Sequence, residues 1–267
     1  MKNDSEDPRL VSFKKLLDIM DTLREKCPWD KKQTFESLRY LTIEETYELS
    51  DAIVEKNTAD ICKELGDLML HLVFYTKIAS EQGFFDITDV LSGLIDKLIR
   101  RHPHIFGEAT VRDAKEVRAN WEVIKLQEGN RSVLGGVPAS LPAMVKAYRI
   151  QEKVAGVGFD WDNIQQVYAK IKEEIKEFKL ELQTNTANKE NEFGDILFAL
   201  INYARWLNIN PEDALEKTNK KFIRRFQDME QQAREQEKTL NEFSLNELEN
   251  MWTKAKQKEQ TNSMNEK

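Results

Sequence analysis

Two kinds of acidic pair recur along this chain. Glu45 and Glu48 stand three residues apart, as do Glu174 and Glu177, and both pairs sit in a Glu-Glu-x-x-Glu run. Glu64 and Asp67 stand three apart within Glu-Leu-Gly-Asp, and Glu192 and Asp195 do so within Glu-Phe-Gly-Asp. Residues i and i+3 share one side of a helix. Each pair therefore projects two carboxylates from one helix, and two such helices packed antiparallel bring four carboxylates together. Four like charges repel, so they need a cation, or most of their pKa values must rise. Oxygen-only donors suit a hard divalent cation, Mg2+ first, with Mn2+ as a substitute. A single Glu-x-x-Glu is ordinarily a solvated face of a charge-rich helix. Here two kinds of pair occur, and each occurs twice.

A cationic cluster on one helix side in an acidic protein invites a polyphosphate. Lys97, Arg100 and Arg101 fall at i, i+3 and i+4, and so do Lys221, Arg224 and Arg225. Arg binds phosphate oxygens through paired hydrogen bonds, and Lys acts as a point charge. The bland alternative is a set of ion pairs with neighbouring Glu. Next to a metal-ready acid set, phosphate is the better reading. Trp121 and Trp252 either stack on a base or pack in a core. Gly66 and Gly194 sit inside helical stretches, where Gly costs about 1 kcal/mol against Ala. They imply a close approach to the backbone, by a partner helix or by a ligand. Asp30 and Asp162, each after a Trp, read as helix N-caps. Glu-x-x-His is absent from the sequence, which disfavours a di-iron bundle. The phosphate-binding Gly-rich loops are absent too.

The positioning elements are helices. Ile164, Val167, Tyr168, Ile171, Ile175, Phe178 and Leu182 trace one helical face, as do Phe193, Ile196, Leu197, Leu200, Ile201 and Ala204. Leu65, Leu68, Met69, Leu72 and Val73 repeat the pattern in the first half. With 10 Gly and 6 Pro in 267 residues, a many-turned β fold is disfavoured. The fold class is all-α: two tandem, repeated helical bundles. Beyond the acids, Lys97–Arg101 matches Lys221–Arg225, and Trp29-Asp30 matches Trp161-Asp162. The stretch from Gly129 to Pro142 holds three glycines and two prolines and is the linker candidate. The expected division is 1–130, a linker at 131–142, and 143–267 with a disordered tail after about Lys254.

A net charge of −7 is a poor match for a nucleic-acid binder and leaves room for a local basic pocket. No apolar run is long enough for a transmembrane helix, and the start lacks a signal-peptide core. Cys27 and Cys62 make no disulfide framework, which fits a reducing cytoplasm. Three histidines (His71, His102 and His104) leave little room for histidine-based metal chemistry.

Cys27-Pro28-Trp29-Asp30, Glu44-Glu45-Thr46-Tyr47-Glu48, Glu64-Leu65-Gly66-Asp67, Arg100-Arg101-His102-Pro103-His104 and Val157-Gly158-Phe159-Asp160-Trp161 resemble the MazG family of nucleoside triphosphate pyrophosphohydrolases. The likeness runs from about Phe13 to Lys256, in the two-domain form of that family. It implies an all-α, Mg2+-dependent homodimer that hydrolyses NTPs and dNTPs to monophosphate and pyrophosphate. Carried across, Glu174, Glu177, Glu192 and Asp195 hold the metal in the second half, and Glu45, Glu48, Glu64 and Asp67 match in the first. Lys170, Lys189, Asn191, Lys221, Arg224, Arg225 and Trp252 contact the nucleotide. Within the family the second domain can be the main active one. Glu173 or Glu174 is the expected proton acceptor for the attacking water. The rival readings are a non-catalytic helical module that senses nucleotide or binds a protein, and a purely structural bundle.

Overall fold

In a computed structural model of the chain, residues 7–113, 132–184 and 188–265 are described, with isolated positions between 116 and 128. The described residues carry ten bounded α-helices and two short 3-10 turns, with no strand among them. They divide into two compact units, Met1–Asp113 and Ala114–Lys267, so the segment 132–142 belongs to the second.

The first unit holds α1 (Pro8–Lys26), α2 (Phe35–Glu55), α3 (Thr58–Glu81), α4 (Ile87–Arg101) and α5 (Pro103–Phe106). Its helix ends are set by local chemistry. Asp7 Oδ1 accepts the Arg9 N–H at 2.9 Å, with Pro8 in the first turn of α1. Thr34 and Ser37 cap α2 reciprocally: each side-chain oxygen accepts the other's backbone N–H, at 2.9 and 3.2 Å. Lys56 ends α2 in the left-handed region at φ 57°, and Asn57 then caps α3. This two-residue connection makes α2 and α3 antiparallel neighbours. Met20, Leu38, Val73, Phe74 and Ile78 form the core, flanked by Phe13, Leu16, Phe35 and Tyr75 among others. Each fully buried side chain of this size stabilises by roughly 1.5–3 kcal/mol.

The second unit holds α6 (Ala143–Gly156), α7 (Ile164–Thr184), α8 (Lys189–Trp206), α9 (Pro211–Arg234) and α10 (Leu245–Asn265). Here α7 and α8 pack most extensively, as α2 and α3 do in the first unit. Val167, Ile171, Ala199 and Ile201 are buried. Between α9 and α10, Met229, Ala233 and Met251 are buried against Leu240, Phe243, Leu248 and Trp252.

Several expectations need correction. Asp30 opens a 3-10 turn and is not a cap, and the cap of α2 is Thr34. Asn163, not Asp162, caps α7: its Oδ1 accepts the Gln166 N–H at 3.1 Å. A Cβ at Gly66 or Gly194 meets nothing within 4 Å, so among the described residues no partner helix demands glycine there. The tail does not end its helix after Lys254. It continues as α10 to Asn265, because Lys258 pairs with Asp228 and Glu259 with Arg224 and Arg225.

The periodic apolar faces are only partly covered. Leu65, Met69 and Leu72 of α3 are exposed, as are Phe193, Leu197 and Leu200 of α8. On α4, Val90, Leu91, Leu94, Ile95, Leu98 and Ile99 are each 40–53% exposed.

Candidate functional site

The hairpin of α2 and α3 sets Glu45 and Glu48 opposite Glu64 and Asp67. Glu45, Glu48 and Glu64 each offer a carboxylate oxygen within 4.8 Å of the others. Glu64 is only 5% exposed. Its Oε1 accepts from Lys63 Nζ at 2.9 Å, while its Oε2 is buried with no hydrogen-bond partner. Lys63 Nζ also lies 3.8 Å from Asp67 and 3.9 Å from Glu48. Burial pushes the Glu45 carboxyl above its usual range, and the charges of Asp67, Glu48 and Glu64 add to this, with Lys63 opposing. Asp67 stands outside the 4.8 Å triplet but within reach of its charge.

The second group repeats this on α7 and α8. Glu174, Glu192 and Asp195 each offer an oxygen within 4.8 Å of the others. Glu174 is 6% exposed. Glu192 Oε1 accepts from Asn188 Nδ2 at 2.6 Å, and its Oε2 is buried without a partner. Burial raises the Glu192 carboxyl, helped by Glu177, Asp195, Glu181 and Glu174. Glu177 therefore acts on the group electrostatically without joining the triplet. Lys170 Nζ lies 2.8 Å from Glu173 and 2.7 Å from Glu174, and these two acids hold its ammonium well above its ordinary range.

Each group presents oxygen donors alone, and each has a buried carboxylate oxygen that no protein donor satisfies. Leaving such an atom unpaired is costly. A hard divalent cation satisfies it and neutralises the surrounding charge. The residues present therefore fit Mg2+ or Mn2+.

The remaining residues of the expected site fall as follows. Lys189 opens α8, and Asn191 donates to Asn188 Oδ1 at 2.7 Å. Arg224 and Arg225 pair with Glu259 of α10 at 2.8 Å, which realises the ion-pair alternative. Trp252 is half-buried, 5.0 Å from the Phe222 ring, with Arg225 over it at 5.6 Å. Lys221 is half-buried on α9, the helix of Arg224 and Arg225. Lys97, Arg100 and Arg101 lie near the end of α4, where only Arg101 is partly buried. Trp121 is half-buried at one of the isolated positions.

Sequence reasoning missed Lys63, Glu181 and a polar triad beside the first group. Thr42 Oγ1 lies 2.7 Å from His71 Nδ1 and 2.6 Å from the Tyr75 hydroxyl. Burial lowers the His71 pKa, with Asp67 opposing. The signals were spacings: His71 follows Asp67 by four residues, and Glu181 follows Glu177 by four. At the positions matching Thr42 and His71, the second half has Ile171 and Ala199, both buried and apolar.

Comparison with known proteins adds to this geometry. The family described as MazG nucleotide pyrophosphohydrolase domain matches residues 33–106 and 163–229, one match over each acid group. A nucleoside triphosphate pyrophosphohydrolase/pyrophosphatase MazG of Thermotoga maritima is 44% identical over 256 residues, covering 94% of this chain and 98% of that protein. A nucleoside triphosphate pyrophosphohydrolase of Escherichia coli K12 is 42% identical over 255 residues, covering 92% and 97%. An uncharacterized protein, YabN of Bacillus subtilis, is 46% identical over 87% of this chain and 49% of its own length.

Proposed function

The chain belongs to the MazG nucleotide pyrophosphohydrolase family, and on that premise we propose an Mg2+-dependent enzyme that splits NTPs and dNTPs into monophosphate and pyrophosphate. Nucleoside triphosphate hydrolysis follows from the family and from the names of relatives that cover nearly the whole chain. The observation that carries the finer reading is the pair of oxygen-only groups, each with a buried, unsatisfied carboxylate oxygen.

Glu174, Glu177, Glu192 and Asp195 would hold the cation in the second half, and Glu45, Glu48, Glu64 and Asp67 would do so in the first. When bound, the cation neutralises phosphate charge and makes a water more acidic. Glu173, exposed and held by Lys170, accepts the proton as water attacks the α-phosphorus. Glu174 is the alternative acceptor, at the inner end of the same contact. The bond from the α-phosphorus to the bridging oxygen breaks, and pyrophosphate leaves. Lys170, Lys189, Asn191, Lys221, Arg224 and Arg225 contact the phosphates and stabilise the charge that develops. For both guanidiniums, this means exchanging Glu259 for phosphate oxygens. Lys97, Arg100 and Arg101 play that part in the first half, and Trp252 offers an edge or face to the base.

We further propose a homodimer. The uncovered apolar stripes of α3, α4 and α8 form the kind of surface that a second copy of the same chain buries. A cytoplasmic setting suits the free thiols of Cys27 and Cys62. Among the described residues no helix is long and apolar enough to cross a membrane.

The test is pyrophosphate release from a panel of NTPs and dNTPs with and without Mg2+. Mg2+-dependent release that disappears in a chain carrying Glu45→Gln, Glu64→Gln, Glu174→Gln and Glu192→Gln together is expected. Binding of nucleotide with no pyrophosphate released would make this a sensing module instead.

A further inference from the structure

We propose that Lys63 is a built-in competitor for the divalent cation in the first acid group, and that it makes this group the weaker metal site of the two. The inference rests on the reading that both groups hold such a cation. Its ground is where two ammonium groups sit. Lys63 Nζ is 2.9 Å from Glu64, 3.8 Å from Asp67 and 3.9 Å from Glu48, so it touches three of the four acids of its own group. Lys170 Nζ touches one acid of the second group, Glu174; its other contact, Glu173, lies outside that group. Lys63 stands among the ligands, whereas Lys170 stands at their edge.

The repeat sharpens the contrast. Lys63 directly precedes Glu64, and the residue that directly precedes the matching Glu192 is Asn191, which is neutral. Asn191 turns its amide to Asn188 and adds no charge to the acids. A divalent cation cannot share one small pocket with an ammonium without strong repulsion. For the cation to enter the first group, Lys63 must leave, giving up its charge-assisted bond to the buried Glu64. It is free to do so, because its side chain is 64% exposed on a flexible four-carbon stem. The first group thus carries a removable positive charge of its own, and cation binding there is an exchange.

The experiment uses the full chain with Glu192→Gln and Asp195→Asn, which disable the second group, and follows Mn2+ binding by electron paramagnetic resonance of the free ion. Adding Lys63→Asn gives the first group the residue of the second. About tenfold tighter Mn2+ binding is expected, equivalent to about 1.4 kcal/mol. Lys63→Arg keeps the charge and is expected to stay near the parent. Thermal unfolding supplies a second readout: Lys63→Asn is expected to melt lower without metal and to gain more from Mn2+ than its parent. Unchanged or weaker Mn2+ binding in Lys63→Asn overturns the proposal, as does equal tightening by Lys63→Arg. Further change of Glu45→Gln and Glu64→Gln must abolish binding. Mn2+ binding that survives those changes shows that the acids are not the site, and the metal reading itself then falls.

Discussion

The first acid group takes its lysine from α3, the helix that carries Glu64, whereas the second takes Lys170 from α7, the helix that carries Glu174. Around the first lie Thr42, His71 and Tyr75, joined by hydrogen bonds; at the places matching Thr42 and His71 lie Ile171 and Ala199. Around the second, Asn188 holds one oxygen of Glu192. The two halves share the acids and their helix spacing, while the lysine and the polar neighbours around them differ. Matching acids need not make two groups alike: Lys63 reaches three acids of the first group, whereas Lys170 reaches one of the second.

The largest effect that would sharpen this contrast is on turnover. Glu174→Gln with Glu192→Gln is expected to lower pyrophosphate release by about 100-fold or more, the scale for losing a group that stabilises developing charge. Glu45→Gln with Glu64→Gln is expected to cost less than about twofold at limiting Mg2+, since Lys63 already competes there. Equal losses in the two double variants would erase the distinction between the halves.

A second test concerns pH. The folded-state carboxyls of Glu45 and Glu192 lie above the ordinary 4.5. Each contributes stability that is fully present below the unfolded value and is lost as pH rises through the folded one. Metal-free Glu192→Gln is therefore expected to melt progressively higher than the parent as pH rises from the unfolded value through the folded one, with a constant gap above. Saturating Mg2+ should narrow that gap by stabilising the parent, with both groups intact, more than the variant. Calorimetric melts across pH check this, and a gap independent of pH would contradict it. Glu259 and Asp228 run the other way: Arg224 and Lys258 respectively hold them below their usual range, so their contribution is lost as pH falls.

The smallest effect is at the basic cluster. Glu259→Gln removes the acid that holds the exposed Arg224 and the mostly buried Arg225, a contact worth about 1 kcal/mol. A KM for triphosphate lowered by about two- to fivefold, with kcat little changed, is expected within that range. A raised KM would mean that Glu259 aims the guanidiniums instead of occupying them.

The helical class, the tandem repeat and the acid pairs were legible because they are local: helix periodicity and three-residue spacing lie within one element. Both triplets, Glu45-Glu48-Glu64 and Glu174-Glu192-Asp195, come from acids the spacing singles out. The sequence did not reveal which cation faces them. Lys63 and Lys170 are two lysines among many until α2 meets α3 and α7 meets α8. Asp162 was misread because Asp and the neighbouring Asn163 have the same capping chemistry, and backbone geometry chose between them. The polar run after Lys254 looked unstructured because its value lies in Lys258 and Glu259 reaching back to α9, across 30 to 35 residues.

Open space over Gly66 and Gly194 makes these two positions reporters of what a lone chain does not contain. A methyl group fits at either place, and alanine would stiffen its helix by about 1 kcal/mol. If Gly194→Ala gives a hardier protein that works as before, the residue is an accident of descent. If it gives a hardier protein that works poorly, the bare stretch of backbone is where the nucleotide, or the other subunit, comes to rest.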